Sequence, residues 1–163
     1  MKRAISHLIT SRFALNSAFP VALLDDIEAA VRVAEQQHAG EIRFAIETAL
    51  TVPALLRGLS ARDRAIEVFS MLRVWDTPAD NGVLIYVLLA ERDIEVVADR
   101  GFDGRVTNDQ WRDVCNDMRT AFANADFRNG SLAGIEAIST LIETHFPYSA
   151  DDRNELPDRP TLL

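Results

Sequence analysis

The chain has 163 residues, a formal net charge of -8, one cysteine and 48% apolar residues. It reads as one domain with a sizeable core. The acidic balance excludes a general nucleic-acid binder, which needs a basic surface to neutralise phosphates, and leaves cation binding open.

Residues 1–20 carry Ile5, Leu8, Ile9 and Phe13 at helical spacing. We expect a short amphipathic helical segment that packs on the domain or on a second copy. Weak contact with a membrane surface is the other option, though basic residues are few. The stretch from Met1 to Thr10 has a broken apolar patch and no small-residue cleavage site. No signal peptide and no transmembrane run can be read, so the expected location is the cytoplasm. Cys115 can form no intrachain disulfide, which fits that compartment; on a helical stripe it reads as a small core residue.

From Pro20, the positions Leu24, Ile27, Val31 and Ala34 predict a helix that Gly40 stops. Ile42, Phe44 and Ile46 then alternate, which predicts a first strand. Pro53 and Gly58 mark an irregular stretch with one helical turn. Ser60 caps the next helix, whose buried face continues through Ala65, Phe69, Leu72 and Trp75 until Thr77-Pro78. After Asn81-Gly82 comes an unbroken apolar run, Val83 to Ala90, expected to be a strand covered on both faces. Glu91-Arg92-Asp93 forms the turn into a third strand, Ile94 to Asp99. Thr107 with Gln110 makes a capping box, and Trp111, Val114, Cys115, Met118 and Phe122 form a core stripe. Asn129-Gly130 punctuates, and Leu132, Ile135, Ile138 and Ile142 predict a last helix up to His145-Phe146-Pro147. Strand, helix, strand implies a right-handed parallel crossover. The fold class is therefore α/β: a three-layer α/β/α sandwich around a small mixed sheet, with a parallel crossover and an antiparallel hairpin. We divide the chain into an N-terminal helical segment (1–20), the domain (21–147) and an extended or disordered tail (148–163).

Topology gathers polar residues at one end of this sheet. The first strand starts at Glu41, the second at Asn81, and the third ends at Asp99. The preceding helix brings Asp76 and Thr77; Asp80, Arg100 and Asp103 lie in the adjoining turns. Such carboxylates and amides suit a hard cation, calcium or another divalent ion, with oxygen ligands. With Arg100 they suit a phosphoryl group instead. The bland alternative is equally open: Asn81-Gly82 as turn chemistry, Asp99-Arg100 as an ion pair, Asp76 as a solvated residue near a helix end. No nucleophile elbow, zinc spacing or phosphate loop can be assembled. His7, His38 and His145 stand apart from the group and read as caps or surface residues.

The words Gly40-Glu41-Ile42-Arg43-Phe44, Asn81-Gly82-Val83-Leu84-Ile85-Tyr86, Val97-Ala98-Asp99-Arg100-Gly101, Trp111 and His145-Phe146-Pro147, in this order, resemble the TPM domain family over about residues 21–147. The resemblance implies the same α/β/α sandwich. It also implies phosphatase activity or metal binding, calcium included, as in some members. The chain departs from the pattern of many secreted members, which have Gly-Tyr-Gly-Leu-Glu and then a Pro-Asp pair; here Asp99-Arg100-Gly101-Phe102-Asp103 is followed by Thr107-Asn108, with Asn108 at an acidic position.

Two functions follow as expectations. One is a binding or accessory module for a protein partner near the membrane, suggested by the family's accessory roles and by Phe13, Phe19 and Tyr148 lying outside the expected core. The other is a metal-assisted phosphatase. In it Asp99, Asp76, Asp103 and Glu41 are the metal candidates, Asp99, Arg100 and Asp76 the catalytic ones, and Asn81, Asp80 and Thr77 line the cleft. Oligomeric state is not legible.

Overall fold

A computed structural model describes residues 12–149 and 154–163. The expected helix over the first residues, and His7 with it, lies outside them. In chain order the elements are α1 (Arg12–Ala18), α2 (Val21–Ala34), β1 (Glu41–Glu47), α3 (Val52–Leu56), α4 (Ala61–Met71), β2 (Gly82–Leu88), β3 (Asp93–Ala98), a 3-10 turn (Arg100–Phe102), α5 (Asn108–Ala123), α6 (Phe127–His145) and β4 (Thr161–Leu162). The sheet order is β3-β2-β1-β4. β1 and β2 are parallel, with α4 in the crossover between them, and β3 returns antiparallel to β2. The sandwich and both predicted strand pairings are present.

Alternation sorts the two faces. Ile42, Phe44, Ile46, Val83, Ile85, Val87, Ile94 and Val96 pack with the buried stripes of α2, α5 and α6. Ala45, Leu84, Tyr86, Leu88 and Val97 pack with α3, α4 and Leu156. β1 and β2 are buried along their whole lengths, because helices cover both sides of the sheet. The caps form as the sequence predicts: Ser60 accepts from the Asp63 amide, and Thr107 and Gln110 complete a reciprocal capping box.

Four local readings are corrected. Phe19 belongs to the core, where its ring meets Phe44, Phe122 and Phe127. Trp75 is exposed while Val74 is buried. α4 ends at Met71, and Arg73 takes a left-handed φ of 54°, which rotates the next side chains off the helical stripe. Asn129-Gly130 does not break the chain. It sits inside α6, where Asp126 caps the Asn129 amide, and Gly130 lets the backbone approach Phe122, whose ring would stand 2.8 Å from an added Cβ.

The tail, expected to be extended or disordered, is extended where it is described. Residues 154–163 are docked on the domain. Thr161 and Leu162 pair in parallel with Ala45 and Ile46, and Leu156 is buried. The tail covers a row of charges on β1 that the helices leave open. Both Glu41 oxygens accept main-chain N–H groups, from Glu155 (3.1 Å) and Leu156 (3.0 Å). The Arg43 guanidinium donates to the carbonyls of Pro157 and Arg159 and to the Thr161 hydroxyl. At the far end of β1, Glu47 is held by Arg64 at 2.8 and 3.2 Å and by the Tyr86 hydroxyl at 2.7 Å.

Gly82 fixes how α4 feeds β2. An added Cβ would stand 1.9 Å from the Val74 carbonyl oxygen. That contact is with backbone, so it cannot be relieved by a side-chain rotation. We expect Gly82→Ala to lower stability by about 1–3 kcal/mol, as overpacking does, and Gly82→Val by more. Thermal melts check this: an unchanged melting temperature for Gly82→Ala would show that the approach is not a constraint.

Candidate functional site

The strand register pairs Glu41 with Gly82 and Val83 with Ala98, so the start of β1, the start of β2 and the end of β3 meet at one end of the sheet. The polar residues there divide into three groups. The first serves turns. Thr77 Oγ1 accepts from the Asn81 amide at 3.0 Å, and the Asn81 side-chain amide donates to the Ala39 carbonyl. Asp80, with a left-handed φ of 53°, pairs with Arg100 at 2.8 Å. The hydrogen bond from Arg100 holds the Asp80 carboxyl below its ordinary value and raises the guanidinium. Arg100 therefore pairs with Asp80, whereas the sequence suggests Asp99. The second group is Glu41, whose carboxylate is engaged by the tail. Asp76 stands apart from both and is exposed.

The third group lines a cleft of about 570 Å³ containing Asp99, Asp103, Phe102, Thr107, Asn108 and Trp111, with Arg62 reaching in from α4. Asp99 caps the 3-10 turn: Oδ1 accepts from the Arg100 amide at 2.8 Å, and its own N–H donates to the Gly82 carbonyl at 2.9 Å. Asp99 Oδ2 is buried without a hydrogen-bond partner. Asp103 is exposed. Trp111 is half-buried and meets Phe102 edge-on, with ring centroids 5.5 Å apart. Of the predicted site residues, then, Asp99 and Asp103 share this cleft; Glu41, Asp76, Thr77, Asp80, Asn81 and Arg100 are not among its lining residues. Among the described residues no group of three or more His, Cys, Asp or Glu side chains is placed to hold a metal ion.

Arg62, Thr107 and Trp111 are the cleft residues that sequence reading missed or assigned to other work. Arg62 lies two positions after the Ser60 cap, and only the handedness of the crossover brings it across β3. A second hollow of about 480 Å³ shares Arg62, Val96, Asn108 and Trp111 with the cleft and runs on to Glu95, Arg112 and Arg119. Along it, Arg62 donates to the Val96 carbonyl and Arg119 to the Ile94 carbonyl. These two arginines occupy the outer carbonyls of β3, which would otherwise offer an open edge. Cys115 beneath them is buried, and burial raises its thiol above the ordinary value, in keeping with a core role.

A mixed four-stranded sheet with a parallel crossover, covered by helices on both faces and carrying its polar turns at one end, defines an α/β/α domain. The chain belongs to the TPM domain family, whose family model matches residues 18–141. Among solved structures it is similar to the BA42 protein of the psychrophilic bacterium Bizionia argentinensis, with a TM-score of 0.76 and 30% identity over 87% of this chain and 93% of that one. It also shares its fold with the N-terminal domain of a P. gingivalis protein, with a TM-score of 0.62 and 15% identity over 79% and 81% of the two chains. A third likeness is to the N-terminal domain of a Corynebacterium glutamicum protein, with a TM-score of 0.55 and 11% identity over 83% and 80%. No curated protein matches the chain. No helix among the described residues is long and apolar enough to cross a membrane.

Of the two expectations for His38, a cap or a surface residue, the surface position does not hold. The side chain is fully buried. Its Nδ1 accepts from the Gly40 amide at 3.3 Å, while Nε2 has no partner. Burial disfavours the imidazolium and lowers its pKa from 6.5 to about 4. In the unfolded chain His38 protonates near pH 6.5, so the folded state loses stability as pH falls from about 6.5 to about 4, and is unaffected by this group above that window. The full loss is about 3 kcal/mol, from roughly 1.4 kcal/mol per unit. His38→Asn keeps an acceptor for Gly40 and cannot titrate. Its stability should fall less steeply between pH 6.5 and 4 than that of the parent, measured by urea unfolding; parallel curves would remove His38 as a source of acid sensitivity.

Proposed function

We propose that this TPM domain is a binding module for a protein partner in the cytoplasm, docked at the cleft beside β3. The supporting observation is that half-buried Trp111 and Arg62 both line one hollow of about 570 Å³. Tryptophan and arginine are the residue types that most often anchor protein interfaces. The carboxylates of Asp99 and Asp103 on the same cleft give it a mixed charge that would select for complementary polar groups. A photo-crosslinking amino acid placed at Thr107 should capture a discrete partner in cells, and Arg62→Ala should weaken that capture severalfold. The same probe at exposed Leu56, on α3, is the control. Equal capture from both positions, or none at Thr107, would refute the docking surface.

A second reading has one specific observation in its favour. The buried, unpartnered Asp99 Oδ2 suits a cation, and Asp103 is the other carboxylate on the cleft. A divalent ion held there would supply positive charge to a phosphate ester and lower the pKa of a bound water. Arg62 lines the cleft and would reach a phosphoryl oxygen by leaving Glu95 (3.5 Å) and the Val96 carbonyl; Arg100 is paired with Asp80 and lies outside the lining. Two carboxylates are few for calcium, which takes six to eight oxygens, so carbonyls and water would complete the shell. Asp99→Asn retains the capping Oδ1 and alters only Oδ2. The parent should melt higher in millimolar calcium than in chelator, by about 2–3 kcal/mol at a hundredfold excess over Kd, and Asp99→Asn should show no such rise. Melts of both proteins that ignore calcium would dispose of the metal-assisted hydrolase.

A further inference from the structure

The tail is held in an unusual manner. Glu41 and Arg43 are both almost completely buried, at 1% and 6% exposure. Their polar atoms go to the main chain of residues 155–159 and to one hydroxyl. Contacts of this kind read backbone direction and spacing, and specificity is left to separate side-chain contacts. Side chains of the tail add to these contacts, the Thr161 hydroxyl among them. Leu156 fills an apolar place beside α4, and Arg159 crosses to Asp25 (3.0 Å) and Glu28 (2.6 Å) on α2. Asp158 completes the complementarity by pairing with Arg32 at 3.1 Å. Pro157 and Pro160 bring no N–H groups that would need partners, and they favour an extended backbone, which reduces the ordering cost of docking. The family model ends at residue 141, so this segment lies beyond the matched part of the domain, while β1 lies within it.

From these contacts we infer that the polar face and outer edge of β1 form a peptide-docking groove, whose resident ligand is the chain's own segment 154–163. The groove binds that segment as a separable, extended peptide by strand addition. It does not need the covalent connection to hold it. This surface is distinct from the cleft beside β3, and the inference stands whether or not that cleft binds a partner.

The experiment uses the full chain with a protease recognition sequence inserted after Ser149 and cut after folding. The nicked tail should stay with the domain on gel filtration at micromolar concentration, and a labelled synthetic peptide of residues 154–163 should exchange into its place. Replacing the leucine that corresponds to Leu156 by aspartate should weaken the peptide about ten- to hundredfold, the range expected for losing one buried leucine. Arg43→Met in the nicked protein should release the tail. Should that variant fail to fold, Arg159→Ala in the peptide, which loses only the surface contacts to Asp25 and Glu28, should weaken exchange about two- to fivefold. Two results would overturn the inference. One is a domain that loses its helical circular-dichroism signal once the tail is cut, since the segment would then be part of the core. The other is a tail that leaves and does not return in a large excess of peptide.

Discussion

A central β-strand with charges on one buried face is the constraint to which the other elements answer. β1 carries Glu41, Arg43 and Glu47 on the side facing away from α2 and α6, and all three are nearly excluded from water. An unpaired buried charge is costly enough to prevent folding or to neutralise itself. Each of these therefore dictates a neighbour. Glu47 requires Arg64, which sets the rotation of α4 over the sheet, and the Tyr86 hydroxyl, which aligns β2; burial beside Glu47 pushes that phenol well above its ordinary value. Glu41 and Arg43 require polar groups where no helix lies, and the tail supplies them. The other face of the same strand, Ile42, Phe44 and Ile46, asks only for apolar cover and receives it from three helices.

Much of the fold was legible because it depends on local periodicity. The apolar run after Asn81-Gly82, the alternation in β1 and β3, the capping box at Thr107 and the crossover order each carry their meaning within a few residues. What was not legible depends on long-range contact. The tail is recognised through its amides and carbonyls, which every sequence possesses, so residues 154–163 carry no pattern that announces a strand. Glu-x-Arg-x-x-x-Glu interleaved with Ile-x-Phe-x-Ile was the available signal: a strand apolar on one side and charged on the other within a sheet covered on both. Trp75 and Asn129-Gly130 were misread for a different reason. One left-handed residue at Arg73 and one close helix approach at Gly130 override the periodicity.

The candidate site divides in the same way. Topology brought Glu41, Asn81 and Asp99 to one end of the sheet, as the parallel and antiparallel pairings require. It did not bring their side chains together: Glu41 and Asp99 lie in one register row, but Gly82 of β2 stands between them and each is drawn to its own main-chain partners. Glu41 turns to the tail, Asn81 to the Ala39 carbonyl, and Asp99 to the 3-10 turn. The cleft that does form draws on Arg62 and Trp111, from helices on opposite faces of the sheet. Both reach past β3, one of the two end strands of the order β3-β2-β1-β4. The two sides of the β2-β1 pair are thus closed by different means: β3 with its arginine-occupied carbonyls beyond β2, and the main chain of the tail beside β1.

The aromatic cluster around Phe19 has a consequence for how the chain is made. Phe19 precedes α2, yet its ring partners Phe122 and Phe127 belong to the last two helices. During synthesis from the N-terminus its ring has only Phe44 of β1 as an aromatic partner until α5 and the start of α6 have left the ribosome. The nascent chain must therefore carry an incompletely covered aromatic through most of translation. The central strands emerge before α5 and α6, two of the three helices that seal one of their faces, so closure of that layer is a late event. Chaperone protection is most needed in the interval between the appearance of β1 and the docking of α6.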